Sequence, residues 1–188
     1  MRRTFVHFLW GGLVFVVAFC LLFFVAVWNG WIGYMPDMDA LSNPIDKFAT
    51  QVYSSNGKLI GTWNEDNANR VAVDYNSLSP NLVHALVATE DERFYEHSGI
   101  DYIALGRAIV KRGILGHAEA GGGSTITQQL AKQLYSEKAH GTLERMLQKP
   151  IEWIIAIKLE RYCTKEEIIA MYLNYFDFLH NAVGIKRA

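Results

Sequence analysis

The chain has 188 residues, a formal net charge of −1 and 51% hydrophobic residues. Because basic and acidic residues nearly balance, the composition gives no support for a nucleic-acid partner. Of the two cysteines, Cys20 lies in an N-terminal apolar run and Cys163 lies far from it. We therefore expect the fold to hold without a disulfide.

An apolar run extends from Phe5 to Trp28, with His7 as its one ionisable side chain. A helix of this length rises about 36 Å, enough to cross a hydrocarbon core of about 30 Å. Arg2 and Arg3 lie in the preceding residues 1–4 and predict a cytoplasmic N-terminus and an exported remainder. The bulky stretch NGWIGYM that follows favours an uncleaved single-pass anchor at 5–28 over a cleaved signal peptide.

A polar, proline-bearing stretch, MPDMDALSNPID, indicates a linker at 29–45 before a domain at 46–188. In TQVYSSNGKLIGTW, Asn56 and Gly57 lie between two β-prone runs and predict a hairpin. RVAVDY is predicted as a further strand, which gives a small β region near residues 50–75. From Ser79 onward the pattern is helical, so we expect a mainly α domain.

Three consecutive carboxylates, Glu90, Asp91 and Glu92, follow a helix predicted from Pro80 to about Glu90. The helix dipole makes this end unfavourable for negative charge by a few tenths to about 1 kcal/mol for each group. The dipole and mutual repulsion hold a proton more tightly on one carboxylate, which suits a general base. The alternative is a solvated acidic turn that Arg93 partly neutralises.

The stretch AGGGSTITQQLAKQLY leads from glycines into a helix, with Thr125 and Gln128 at capping-box spacing. Free N–H groups and the dipole at such a helix start suit an anion, and Lys132 adds a cation one turn on. The alternative is an ordinary capped helix after a mobile loop.

In LQKPIEWIIAIKLERY, Pro150 is predicted to start or kink a helix, and Glu152 falls among apolar residues. A carboxylate on an apolar stripe is costly unless it has a partner, and Lys149 is the nearest candidate. Glu152 is therefore either half of a structural salt bridge or a site carboxylate.

The stretch TKEEIIAMYLNYF begins with Thr164 and Glu167, again at capping-box spacing. Ile168, Ile169 and Tyr172 supply an apolar stripe behind this cap. We interpret this helix as part of the core.

Four stretches, ATEDERFYEHSGID, GGGSTITQQLAK, QKPIE and TKEEIIAMYLN, occur in this order and resemble successive motifs of the peptidoglycan glycosyltransferases, glycosyltransferase family 51. The family domain occurs alone or at the N-terminus of class A penicillin-binding proteins. The resemblance runs from about Asp46 to the end. It implies a lysozyme-like helical domain on the outer, periplasmic face of the cytoplasmic (inner) membrane. Such a domain polymerises lipid II into β-1,4-linked glycan strands and releases undecaprenyl pyrophosphate.

The resemblance also assigns roles to residues. Glu90 matches the general base that deprotonates the acceptor 4-hydroxyl. Glu152 matches a second catalytic glutamate, assigned either to the leaving-group side or to organising the site. A divalent cation, Mg²⁺ or Mn²⁺, at the pyrophosphate is a further family expectation, although no metal-ligand spacing here demands one. The other matches are expected to bind substrate, with the lysines facing the pyrophosphate: Asp91, Phe94, His97, Ser124, Thr125, Gln128, Gln129, Lys132 and Lys149.

Two positions depart from the family pattern. Gln148 stands where arginine is usual, with Arg145 one turn back as a substitute cation, and Pro150 lies inside the motif. The chain stops at NAVGIKRA, so we expect a C-terminally incomplete domain from a longer class A protein. Cell-wall synthesis or division proteins are its expected partners.

Two other functions stay open. A membrane-anchored lysozyme-like glycan hydrolase or lytic transglycosylase would need one catalytic glutamate and no pyrophosphate-facing cations. The STITQQLAK motif argues against this function. An inactive cell-wall scaffold would be indicated by loss of Glu90 or Lys132, and both are present.

Overall fold

A computed structural model describes residues 2–32, 35–36, 50–63, 71–114, 116, 122–136, 141–178 and 184–186. Most of the predicted linker and the predicted domain start at residue 46 lie outside these ranges, so those boundaries stay predictions. The described elements follow one another as helix α1 (Arg2–Trp28), strands β1 (Thr50–Tyr53) and β2 (Leu59–Trp63), a 3₁₀ turn (Tyr75–Ser77), and helices α2 (Pro80–Glu90), α3 (Tyr102–Ala108), α4 (Ile126–Tyr135), α5 (Thr142–Tyr162) and α6 (Lys165–Tyr175), with a π-helical segment (Ile109–Ile114) after α3. The predicted mainly α class with one small hairpin is confirmed.

Helix α1 is the N-terminal apolar helix that the sequence predicts. Its segment Val6–Trp28 has a mean hydropathy of 2.7 and is long and apolar enough to cross a membrane. The end of α1 packs against α5. There the ring of Trp28 lies 5.1 Å from the Lys158 ammonium and 5.6 Å from the Arg161 guanidinium. These cation–π contacts fix the end of α1 beside the helical domain.

The hairpin forms where Asn56 and Gly57 predict it. Strands β1 and β2 pair antiparallel, and Gly57 has a φ of +77° in the turn. The predicted strand in RVAVDY is wrong, since residues 71–74 have no regular secondary structure and Tyr75 begins the 3₁₀ turn. Its backbone is satisfied differently, because the Asn174 side chain donates to the Val73 carbonyl oxygen and accepts from the Val73 N–H, both at 3.0 Å.

The core surrounds α4, which packs against α5 and α6. Helix α6 begins with the predicted capping box of Thr164 and Glu167. Of the two alternatives for Pro150, a helix start is wrong, because α5 begins at Thr142 and continues through the proline. A kink at Pro150 stays a prediction. The largest fully buried core side chains include Phe94, Ile126, Leu130, Ile155, Leu159, Ile168, Ile169 and Tyr172.

Asp101 caps the start of α3. Its side chain accepts hydrogen bonds from the Ile103 and Ala104 N–H groups, both at 2.9 Å, and it also binds the Arg93 guanidinium. Burial alone would raise the pKa of Asp101, but these N–H groups and the guanidinium outweigh it and hold the pKa below its usual value. The predicted neutralisation of the acidic turn by Arg93 is wrong, since Arg93 pairs with Asp101.

We expect Asp101→Ala to lower the free energy of unfolding at pH 7 by about 0.5–2 kcal/mol, as for other lost helix caps. Because the folded pKa of Asp101 is lowered, its stabilisation is complete above the unfolded value of about 4 and is lost as the pH falls through the folded value. Thermal unfolding should therefore show a smaller stability difference between Asp101→Ala and wild type in acid than at pH 7. Asp101→Asn, which keeps a cap acceptor, is the control. A stability difference between Asp101→Ala and wild type that does not change with pH would contradict the prediction.

Candidate functional site

Glu90 is the last residue of α2, as predicted, and its side chain is exposed. The Gln129 amide on α4 donates a 2.9 Å hydrogen bond to Glu90 Oε2. Two motifs that lie 39 residues apart in the chain therefore meet at this carboxylate. An exposed carboxylate held in a defined orientation can act as a base toward a bound hydroxyl.

Asp91 ties three parts of the site together. Its Oδ2 accepts the Ile126 N–H at 3.1 Å, and its two oxygens lie 3.1 and 3.0 Å from His97 Nε2. Asp91 is 7% exposed. The first N–H of α4 therefore binds a carboxylate of the protein and is not open to a substrate anion. Use of the rest of this helix start as an anion site stays a prediction.

Thr125 and Gln128 show the same inward use of the second motif. Thr125 accepts the Gln128 N–H at 3.1 Å, and its hydroxyl donates to the Gly99 carbonyl oxygen at 2.7 Å. The Gln128 side chain donates to the same oxygen at 3.3 Å. Only half of the predicted capping box forms, because Gln128 binds Gly99 and not the backbone of Thr125.

Phe94 lies in the core beneath this site and is 0% exposed. The Lys165 ammonium lies 4.2 Å from the centre of its ring and donates to the His97 carbonyl oxygen at 2.7 Å. Lys165 also pairs with Glu160 at 2.7 Å. Phe94 thus packs in the core and Asp91 is buried beside it, and the assignment of both residues to substrate binding stays a prediction.

Lys149 and Glu152 form the predicted ion pair on α5, with Nζ 2.7 Å from Oε2. The Glu152 side chain is 3% exposed, whereas that of Lys149 is 45% exposed. Glu152 can therefore set the position of Lys149 from below, while Lys149 still faces solvent. Arg145 is exposed one turn earlier on the same helix.

We expect Lys149→Met to lower the free energy of unfolding by about 1–3 kcal/mol, because it leaves a buried carboxylate without its partner. The double variant Lys149→Met/Glu152→Met should recover much of this loss. Lys132→Met, which removes an exposed lysine from α4, should stay within about 0.5 kcal/mol of wild type. Thermal unfolding of the three variants measures these changes in stability. An equal loss of stability in Lys149→Met and in the double variant would contradict the prediction.

The predicted site residues thus form two groups. The Glu90 group consists of Glu90, Asp91, His97, Thr125, Gln128 and Gln129. The second is the Lys149–Glu152 pair, and within the part of the chain that the structure describes no hydrogen bond or ion pair joins it directly to the Glu90 group. Ser124 is half-buried and Lys132 is exposed, and neither side chain bonds to another described residue.

Sequence reasoning missed Gly99 and the hydrogen bond from the Tyr172 hydroxyl to Gln129 Oε1. Gly99 has a φ of +92° and presents its carbonyl oxygen to the second motif. Its place in SGID, at the end of the first motif, is the one available signal. Among the described residues, no group of three or more His, Cys, Asp and Glu side chains could hold a metal ion.

Comparison with known proteins places this arrangement among related chains. A family model described as Transglycosylase matches residues 56–188. Penicillin-binding protein 1A of Escherichia coli (strain K12) is 37% identical over 155 residues, which cover 82% of this chain and 17% of the relative. Penicillin-binding protein 1A of Pseudomonas aeruginosa is 34% identical over 182 residues, 96% of this chain and 21% of the relative. Penicillin-binding protein 1F of Bacillus subtilis (strain 168) is 40% identical over 140 residues, 74% of this chain and 19% of the relative. The chain therefore spans about a fifth of the length of these relatives.

Proposed function

This chain belongs to the transglycosylase family, and on that premise we propose that it is the glycosyltransferase part of a protein that polymerises lipid II into β-1,4-linked glycan. One observation carries the proposal: α4 presents Gln129 and Lys132 one turn apart, and Gln129 holds the exposed carboxylate of Glu90. A base held by a helix that also carries a cation suits a reaction that deprotonates a sugar hydroxyl while a pyrophosphate leaves.

In this mechanism the Glu90 carboxylate takes the proton of the acceptor 4-hydroxyl. The hydroxyl oxygen forms a bond to the anomeric carbon of the lipid-linked donor as the bond to the pyrophosphate oxygen breaks. Inversion at that carbon gives the β-1,4 link and releases undecaprenyl pyrophosphate. Lys132 and Lys149 stabilise the negative charge that develops on the leaving pyrophosphate. Glu152 holds Lys149 in place through its 2.7 Å ion pair.

The proposed location follows from α1. Its apolar segment anchors the chain in the cytoplasmic membrane, and Arg2 and Arg3 keep the N-terminus inside. Packing of the end of α1 against α5 supports a catalytic domain that lies close to the outer face of the cytoplasmic membrane. A lipid-linked donor would then reach the site without leaving the bilayer. Recruitment by cell-wall synthesis or division proteins belongs to the same proposal.

A divalent cation would fit this site only through the substrate. Lysines, not a cage of carboxylates, are available for the pyrophosphate in the described ranges. Mg²⁺ or Mn²⁺ would therefore be held mainly by pyrophosphate oxygens, where it would add positive charge.

Polymerisation of labelled lipid II by the full-length protein in detergent tests the proposal. We expect glycan polymer to accumulate and undecaprenyl pyrophosphate to be released. Cleavage of finished glycan strands with lipid II left intact would favour the lysozyme-like hydrolase instead. Binding of lipid II without turnover would favour the scaffold.

A further inference from the structure

We propose that Tyr172 is a positioning residue for Glu90 and acts through Gln129. The proposal rests on the function proposed for Glu90, and it adds a residue that the sequence assigns only to the core. Three helices take part, since Glu90 ends α2, Gln129 lies on α4 and Tyr172 lies on α6.

A chain of two hydrogen bonds links the three side chains. The Tyr172 hydroxyl donates to Gln129 Oε1 at 3.0 Å, and Gln129 Nε2 donates to Glu90 Oε2 at 2.9 Å. An amide has one acceptor end and one donor end, so a donor at Oε1 fixes which end faces the carboxylate. Tyr172 therefore determines that Gln129 presents N–H groups to Glu90.

Tyr172 is suited to this task because it does not change its protonation state. The residue is 2% exposed. Burial, and to a smaller extent the negative charge of Glu90, raise the pKa of Tyr172 to about 12. The phenol thus remains a hydrogen-bond donor throughout the neutral range.

Glu90 needs such support because of where it lies. Its side chain is exposed at the end of α2, next to Asp91 and Glu92, where nothing in the helix itself selects one rotamer. The Gln129 hydrogen bond engages Oε2. Within the described ranges no residue donates to Oε1, which leaves that oxygen available there to take the proton of the acceptor hydroxyl. A catalytic group displaced by about 1 Å can lose a hundredfold in rate, so orientation at this carboxylate matters.

The test is a double-mutant cycle with Tyr172→Phe and Gln129→Met in the full-length protein. Each single variant should lower kcat for lipid II polymerisation about 2- to 13-fold, the effect of one lost hydrogen bond, with KM almost unchanged. The double variant should be no slower than the slower single variant, because Tyr172 acts only through Gln129. Tyr162→Phe, at an exposed tyrosine that ends α5, is the matched control and should match wild type.

Multiplicative effects of the two substitutions, or an effect on KM alone, would overturn the proposal. Thermal unfolding of each variant separates loss of fold from loss of positioning, and Gln129→Met by itself tests the link if Tyr172→Phe fails to fold. The side-chain amide signal of Gln129 in ¹H–¹⁵N spectra gives a readout that does not require turnover. It should shift in both Tyr172→Phe and Glu90→Gln. An inactive wild type would therefore refute the proposed function, whereas an unshifted amide would refute the positioning role.

Discussion

Gly99→Ala is expected to lower the free energy of unfolding by about 2–5 kcal/mol, from a strained backbone and an overpacked contact. The φ of Gly99 is +92°, a value that residues other than glycine rarely adopt. An added Cβ would also lie 2.8 Å from the carbonyl oxygen of Ala156 and 2.9 Å from its carbonyl carbon. Both atoms belong to the backbone of α5, so the contact cannot be relieved by turning a side chain.

The same substitution should weaken the site. The Gly99 carbonyl oxygen accepts from Thr125 and Gln128, so moving it separates the first motif from the start of α4. Polymerisation should therefore fall even at temperatures where the variant remains folded. The melting temperature should drop by roughly 4–20 °C, given about 2–4 °C for each kcal/mol in a chain of this size.

Gly57→Ala is the matched control for this prediction. Gly57 also has a positive φ, +77°, but a Cβ there would meet nothing within 4 Å. Only the backbone cost of about 1–2 kcal/mol should remain. Equal melting temperatures for Gly57→Ala and Gly99→Ala would show that the contact with Ala156 does not matter.

Local signals in the sequence predicted much of the fold correctly. The proline at position 80 and the apolar stripe after it placed α2 at Pro80–Glu90, and Asn56-Gly57 placed the hairpin. These features depend on neighbouring residues, which a sequence displays directly. Four motifs in order predicted the family, and the match over residues 56–188 confirms it. The lysozyme-like arrangement of the helices and the roles of the site residues stay predictions.

The partners of individual side chains could not be predicted because they depend on helix packing. Periodicity placed Tyr172 on a buried face, but nothing in it indicates Gln129, 43 residues earlier, as the acceptor of its hydroxyl. Arg93 was assigned to the adjacent acidic turn, yet the loop before α3 brings Asp101 to it instead. A run such as RVAVDY has strand propensity, but a strand also needs a partner strand, and Val73 pairs with the Asn174 side chain.

The central claim is that Glu90 is the base of a glycosyltransferase site, and the Glu90→Gln variant of the full-length protein tests it most directly. Polymer formation and lipid II binding should be measured on the same samples, with Glu92→Gln as the control for charge removal at an adjacent exposed carboxylate. We expect Glu90→Gln to bind lipid II as wild type does and to polymerise it about 10²- to 10⁴-fold more slowly, the usual contribution of a general base. Glu92→Gln should remain close to wild type. Polymerisation by Glu90→Gln at the wild-type rate would contradict the claim.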